Sequence, residues 1–572
     1  MEALDDEELQ RAFRMSLQPG PEAKRTKSRD TTAEAPDEAS QRRLQREIRA
    51  AAAEKRRLSA AGNPTPSITR ELEGSGNAAA TPPPSSSCSS SNTKAGEELP
   101  LPVAEQLHQM VFGPQVTREV LAQWCNQGFR FSSDLETSLG LVQHEGGPCG
   151  VLATIQATLL KYLLFVPNKR DASQLEFQDS ERTSALIQAM AETLWRAGGN
   201  QRAVLAVMDI PDASEEEQDR VLESVALDSA TGLREAVRIC TVLSLSTLYQ
   251  QIQERIAGFR SRMGALLFLF SALLSRGLDA VQSDRDDPVQ PLVTPPFGHA
   301  SQEIVNLLLC GQAVANVFDG NYDLGGGMSL KGIPSNVEVG FLTLLESLNF
   351  CKVGQYLKRP KWPIWVVGSE SHYTVLFALD TGVQDENEVE AREFTIRRAF
   401  DAQDQSGGGG FISLEALQQV LIDTNVDMPQ QVLDNLCSSD IVIWNDLWQS
   451  LMHLEKSRGG LKDEEGSMGK KYFELYHFNG IAKTVAGSSG SSSAGAGDVM
   501  QQRPRLTKLK VAVPPRWTPE SMMTVEGPAV EENTQSDDKR EEPAQHAPLT
   551  DCIRTRWQRA TSNWTGDPPS IV

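Results

Sequence analysis

Cys149 stands where the turn Gly146–Gly147–Pro148 runs into an apolar segment ending near Phe165, which reads as a long helix. Proline suits the first turn of a helix. A thiol at that end faces backbone N–H groups and the positive end of the helix dipole. Both favour the thiolate, the nucleophilic form. Six residues earlier, Gln143 carries a side-chain amide. Its N–H and the backbone N–H of Cys149 can together hold the oxyanion of a tetrahedral intermediate. The chemistry this spacing suggests is attack of a thiolate on a carbonyl.

Such a thiol needs a base that is distant in sequence and near in space. The chain has seven His. His144 is too close along the chain to fold back, His108 and His453 sit in helical patterns, His299 in a Pro/Gly loop, His477 within a strand, and His546 near the end. His372 opens an apolar strand directly after the polar turn Ser369–Glu370–Ser371, which makes it the expected base. Gln-x5-Cys at a helix head, followed much later by a His at a strand start, resembles the papain-like cysteine proteases. A third residue usually orients the imidazole; Asp380, Asn316 and Asp319 are the options, and the spacing does not choose among them. A lone buried Cys is ordinarily inert core, and it is the Gly-Gly-Pro context and the placed His that argue for more. No phosphate-loop, dinucleotide, HExxH or CxxC motif accompanies this set. No cofactor and no metal is expected.

The elements that must position these residues lie in the middle of the chain. Of its 35 aromatic residues, only Phe13 falls in 1–100 and only Trp517, Trp557 and Trp564 in 484–572. Aromatic side chains carry much of a core's buried area, so 101–483 reads as the folded unit. The net charge of −21 also concentrates there. So acidic a unit is a poor partner for nucleic acid. The most apolar run, Met263–Leu274, is too short to span a bilayer and reads as a buried helix, so no membrane partner is expected. Eight Cys without framework spacing and an acidic, polar N-terminus suggest reduced thiols in a cytoplasmic and/or nuclear protein.

Helices are expected at 101–112, closed by Gly113, at 149–165, over 184–208 and behind a capping box at Ser214 and Glu217; 304–318 reads as a helix or a helix-to-strand transition; strands are expected at 363–368, 372–379 and 472–480. Helices early and strands late imply an α+β fold. Between the strands lies a helical insert, 386–456, whose centre AFDAQDQSGGGGFISLEAL resembles a degenerate EF-hand. With Gly410 at the loop's turn position, the first, third, fifth and twelfth positions are Gln405, Gly407, Gly409 and Ala416. Calcium needs several carboxylate oxygens and a closing Glu, so calcium is not expected here. The organisation is therefore 1–20 as a short helix, 21–100 as a disordered linker with a basic helix at 40–58, 101–385 and 457–483 as the catalytic domain around the insert, and 484–572 as a flexible tail in which 507–513 can return as an edge strand. The basic residues near 24–27 and 55–57 read as solvated helix faces rather than an import signal.

Near the N-terminus, Asp5–Glu8 precede Leu9, with Ala12, Phe13 and Ser16 on the same helical face. The small residue lets a partner's apolar surface approach closely. This spacing resembles the ubiquitin-interacting motif. The resemblance implies that Glu7, Glu8, Leu9, Ala12, Phe13 and Ser16 bind ubiquitin.

The blocks QHEGGPCGVLATIQATLLKYLLF (143–165), GHASQEIVNLLLCGQAVANVFDG (298–320), VGFLTLLE (339–346), CKVGQYLKRPKWPIWVVGSESHYTVLF (351–377) and YHFNG (476–480), and more faintly RTRWQ (554–558), resemble the third-and-fourth-member branch of the MINDY cysteine deubiquitinases. The resemblance implies Cys149 as nucleophile, His372 as general base and acid, and Gln143 as oxyanion donor. It also implies a papain-like catalytic domain with an EF-hand-like insert and disordered termini. The implied substrates are ubiquitin and polyubiquitin chains linked through lysine forty-eight of ubiquitin. Gly150 departs from the Ala the branch can carry, and the long ends read as additions to the family core. The rival readings are a catalytically inactive polyubiquitin-binding scaffold and a calcium sensor.

Overall fold

The computed structural model describes residues 96–571 apart from 115, 145, 167–174, 209–219, 221, 223–226, 228, 326–327, 386–387, 405–409, 437–440, 459–470, 482–503 and 514–543. The segment 5–17 that resembles a ubiquitin-interacting motif, the basic segment 40–58, the Ser214–Glu217 capping box and the Ala/Gly/Ser linker 486–497 lie outside the described residues. The fold is α+β, built around a six-stranded sheet. Its strands are β1 Gly340–Thr343, β2 Ile364–Gly368, β3 Tyr373–Phe377, β4 Lys471–Asn479, β5 Arg505–Val513 and β6 Thr561–Trp564, and they lie side by side in chain order. Only β1 and β2 are parallel; the other neighbours are antiparallel.

Side chains alternate between the faces of a strand, and here both faces are buried. Phe341, Val366, Val375 and Phe478 form one row across β1–β4 and belong to the larger core. Leu342, Trp365, Val367, Leu376 and Leu475 face the opposite way into a second core. A strand covered on both sides reads as a continuous apolar run, which is why IWVV and TVLFA are so legible.

The larger core is covered by helix α1 Cys149–Leu164, which packs on β2 and β3. All of its residues but Tyr162 and Leu164 are buried, as expected of a helix apolar on every side. Around it lie α2 Asp179–Ala197, α3 Gly264–Arg276 and α4 Gln302–Cys310. The Met263–Leu274 run is thus a buried core helix. Among the described residues no single helix is long and apolar enough to cross a membrane. Inside this layer Lys161 is buried and paired with Glu192 at 2.6 Å and Glu338 at 3.1 Å.

Two expectations change. The helix expected over 184–208 ends at Ala197; Gly198 and Gly199 break it, Gly199 with φ +68°, and Ala203–Met208 is a strand. That strand joins Val237–Val242 and Glu97–Glu98 in a second, three-stranded sheet, so strands are not confined to the later half. A buried Ala-Val-Leu-Ala-Val-Met run carries no period that separates helix from strand. The tail expected after 484 likewise contributes more than one edge strand. Helix α9 Pro548–Arg556 covers the second face of the sheet with Leu549, Cys552 and Ile553, and Trp557 packs edge-to-face on Trp365 at 5.4 Å and against Phe473 at 4.8 Å. The scarcity of aromatic residues hid this, because a few aliphatic side chains and one Trp suffice.

The insert forms its own cluster. Helices α5 Glu388–Gln403, α6 Leu414–Asp423, α7 Gln430–Leu436 and α8 Trp444–Arg458 flank two short strands, Phe411–Ser413 and Ile441–Ile443, which pair with Ile412 opposite Val442. Phe400, Leu417, Val420, Trp444 and Trp448 fill its centre. Asp401, on α5, holds Lys352 of the main body at 2.7 Å and Arg397 at 3.0 Å.

If the second core depends on the tail, Trp557→Ala will destabilise the chain by about 3–5 kcal/mol, the cost of emptying a buried Trp site. Chemical denaturation followed by tryptophan fluorescence measures this. An unchanged midpoint would show the tail to be an appendage.

Candidate active site

Cys149 opens α1, with Pro148 as its N-cap residue. Gly147 makes the approach with φ +111°, a conformation L side chains rarely adopt, and a Cβ there would come within 3.1 Å of the Trp124 ring. Trp124 is itself fixed by donating its indole N–H to the Gly298 carbonyl at 2.8 Å. Gly150 has equally little room, since a Cβ would lie 3.0 Å from both Ala300 and Val305. Gly150, which departs from the Ala the branch can carry, is therefore where Ala300 and, on α4, Val305 close on α1.

The thiol is 2 % exposed and donates to the Gly147 carbonyl at 3.8 Å. Burial pushes its pKa up; the backbone N–H groups of Tyr373, Gly150 and Cys149 pull the other way but do not win, and the value stands at about 11. In this unliganded state Cys149 is a thiol. The helix-start effect expected from the sequence is present, and desolvation outweighs it.

Gln143 sits on the segment leading into the turn and is also buried. Its backbone N–H donates to the Gly480 carbonyl at 2.9 Å, just past the end of β4. Two buried glutamines clamp the surrounding backbone. Gln156, on α1, accepts from Leu141 N–H at 2.7 Å and donates to the Leu139 carbonyl at 3.2 Å. Gln127 donates to the Val142 carbonyl at 3.0 Å and accepts from His144 N–H at 3.2 Å. Each pairs backbone groups that would otherwise be buried unsatisfied.

His372 follows the β2–β3 turn, which Ser369 closes. The Ser369 hydroxyl accepts from His372 N–H at 3.0 Å, and Ser369 N–H donates to the His372 carbonyl at 2.9 Å. Cys149, Gln143 and His372 line one cavity of about 20 Å³ together with Tyr373, Phe478 and Gly480, room for about one water. The three residues singled out in the sequence are thus brought together, in a small site in which all three are buried. His477 is adjacent in the sheet but is no rival base. Burial, with the His372 charge adding to it, pushes its pKa down to about 3, and its Nε2 pairs with the Thr374 hydroxyl at 2.9 Å.

None of the three options for an orienting residue is shown touching His372. Asp380 caps Gly382 N–H, Asp319 caps Gln355 and Tyr356, and the Asn316 amide donates to Asp286 and to the Lys331 carbonyl. The contact falls to Asn479, whose Oδ1 lies 3.3 Å from His372 Nε2. The sequence signal was available in the Asn-Gly that ends β4, but strand pairing across 107 residues is what places it.

The raised thiol pKa has a measurable consequence. Alkylation of Cys149 by iodoacetamide, followed by mass spectrometry, will keep accelerating beyond pH 9, towards a midpoint near 11. A plateau reached below pH 8 would mean a stable thiolate in the free protein.

A family model described as the conserved domain of the deubiquitinating enzymes MINDY-3/4 matches residues 108–399. The chain is 31% identical to the ubiquitin carboxyl-terminal hydrolase MINDY-3 of Xenopus tropicalis over 82% of its own length and 99% of that protein. It is 30% identical to the human MINDY-3 over similar shares, and 35% identical to the human probable ubiquitin carboxyl-terminal hydrolase MINDY-4 over 60% of this chain and 43% of that protein. No solved structure matches. With its two principal sequence blocks folded around one cavity, the chain belongs to the MINDY-3/4 family of deubiquitinating enzymes.

Proposed function

We propose that this chain is a thiol-dependent deubiquitinase that hydrolyses isopeptide bonds in polyubiquitin, with a preference for chains linked through lysine forty-eight of ubiquitin. The observation that carries the reading is the convergence of Cys149, Gln143 and His372 on one cavity at the start of α1. In this mechanism His372 takes the thiol proton and the sulfur attacks the carbonyl carbon of ubiquitin's C-terminal glycine. The Gln143 side-chain amide and the Cys149 N–H stabilise the oxyanion. His372 then protonates the leaving lysine amine, giving a thioester that water, activated by the same imidazole, hydrolyses. The architecture is a papain-like arrangement, with the nucleophile on a helix packed against a sheet that carries the base.

The small cavity, with room for about one water, and the protonated thiol favour a resting state that substrate must widen. They are also what an inactive ubiquitin-binding scaffold would show, and one experiment separates the two. Ubiquitin carrying a C-terminal thiol-reactive group should form an adduct that Cys149→Ala abolishes. Binding without any adduct would establish the scaffold.

The helical insert reads as a pair of EF-hand-like units. The pairing of Ile412 with Val442 and the φ of +73° at Gly410 support this, while the sequence offers no carboxylate set for calcium. We further assign the N-terminal Leu9–Ala12–Phe13–Ser16 face, with Glu7 and Glu8, to a second ubiquitin of the same chain. A linker of about 80 residues makes it a tether acting through effective concentration. Ala12→Gly with Ser16→Ala will weaken binding of long chains and leave cleavage of short ones. Loss of all cleavage in a gel-based assay would refute the tether.

A further inference from the structure

The contact between His372 and Asn479 extends to a part of the chain remote from the site. An Asn amide presents one accepting and one donating end, and only its partners decide which faces which way. Both ends of Asn479 meet groups with a single role. Nδ2 donates to the Ser570 carbonyl at 2.8 Å, and Oδ1 accepts from Ile481 N–H at 3.1 Å. A carbonyl cannot donate and a backbone N–H cannot accept, so a flipped amide loses both bonds. Oδ1 is therefore fixed toward His372 Nε2, which must carry the proton. A neutral imidazole has one N–H, so the lone pair is placed on Nδ1.

The tripeptide Asn479–Gly480–Ile481 touches the other half of the site as well. The Gly480 carbonyl accepts from Gln143 N–H, and a Cβ on Gly480 would lie 2.4 Å from the Leu141 carbonyl oxygen. The Ser570 carbonyl is held in turn by its neighbour Ile571, which is 1 % exposed in the second core. Asp567, three residues before Ser570, pairs with Arg505 of β5 at 3.0 Å.

We propose that Asn479 is the positioning residue for His372, and that the strap 567–571, through the Ser570 carbonyl, fixes Asn479 in the orientation that makes His372 Nδ1 the base. This rests on His372 and Cys149 acting as proposed above. In the reaction the strap makes no contact with substrate. It holds the Nε2–H, so that Nδ1 receives the proton when the Cys149 S–H bond breaks and returns it to the leaving amine.

The test uses the full chain, ubiquitin with a fluorogenic C-terminal amide, and pH profiles of kcat and KM. Asn479→Ala lowers kcat by about tenfold or more, as loss of an orienting group does, with KM within about twofold. Asn479→Asp places a negative charge beside the imidazole, favours its protonated form and moves the acidic limb of the profile to higher pH; a merely structural role lowers the amplitude without moving the limb. Deleting residues 570–572 reproduces the Asn479→Ala loss, and the combined variant shows little further loss because the two act as one unit. Thermal melting and ubiquitin affinity report whether each variant folds. If the deletion does not fold, Ile571→Ala in the full chain loosens the strap instead and lowers kcat with KM held. The proposal fails if Asn479→Ala keeps wild-type kcat and limb position, and the strap fails if both the deletion and Ile571→Ala do so. Cys149→Ala in parallel separates the layers: if it still cleaves, the cysteine mechanism falls; if it is dead while Asn479→Ala is unaffected, only the present proposal falls.

Discussion

The structure depends on a sheet whose two faces must both be kept from water. Alternation in β1–β4 sends Phe341, Val366 and Val375 one way and Leu342, Trp365 and Leu376 the other. Neither set is stable exposed. The first face recruits α1 and thereby brings Cys149 to the edge of the sheet. The second recruits α9 and Trp557 from more than 170 residues away in sequence. His372, between the two layers, is positioned by both.

The same demand for dryness sets the resting chemistry. A thiol at a helix start gains from the N–H groups around it, but one enclosed among Gly150, Tyr373 and Phe478 loses the solvation a thiolate needs. Desolvation wins, and Cys149 rests as a thiol. In the proposed mechanism this makes activation a property of the complex. An incoming carbonyl gives the sulfur a partner for its charge, and a free chain with an unreactive thiol is spared idle oxidation.

Much of this was legible from residues alone. Gln143, Cys149 and His372 stand out because local turn chemistry marks them: a Gly-Gly-Pro before the helix and a polar turn before the strand. The doubly buried strands were legible through their unbroken apolar runs. The rest was not, for physical reasons. Gln127 and Gln156 act by pairing buried backbone groups, a role with no sequence period. Asn479 was passed over because its partner lies on another strand, and Asp380, nearer along the chain, drew the eye. The strand at 203–208 continued an apolar pattern that had begun as a helix. The tail was misjudged because an aromatic count weighs cores by their largest members, whereas α9 covers its face mostly with Leu549, Cys552 and Ile553.

The chain order of the sheet also bears on how the molecule assembles. Both layers close large loops: α1 meets β2 and β3 about 200 residues later in the chain, and α9 must return to β1 and β2 across the insert and two long connections. Contacts that close large loops form late. Until both have closed, the strands bearing Phe341, Trp365 and Leu376 present apolar side chains on two faces, the stage at which aggregation competes with folding.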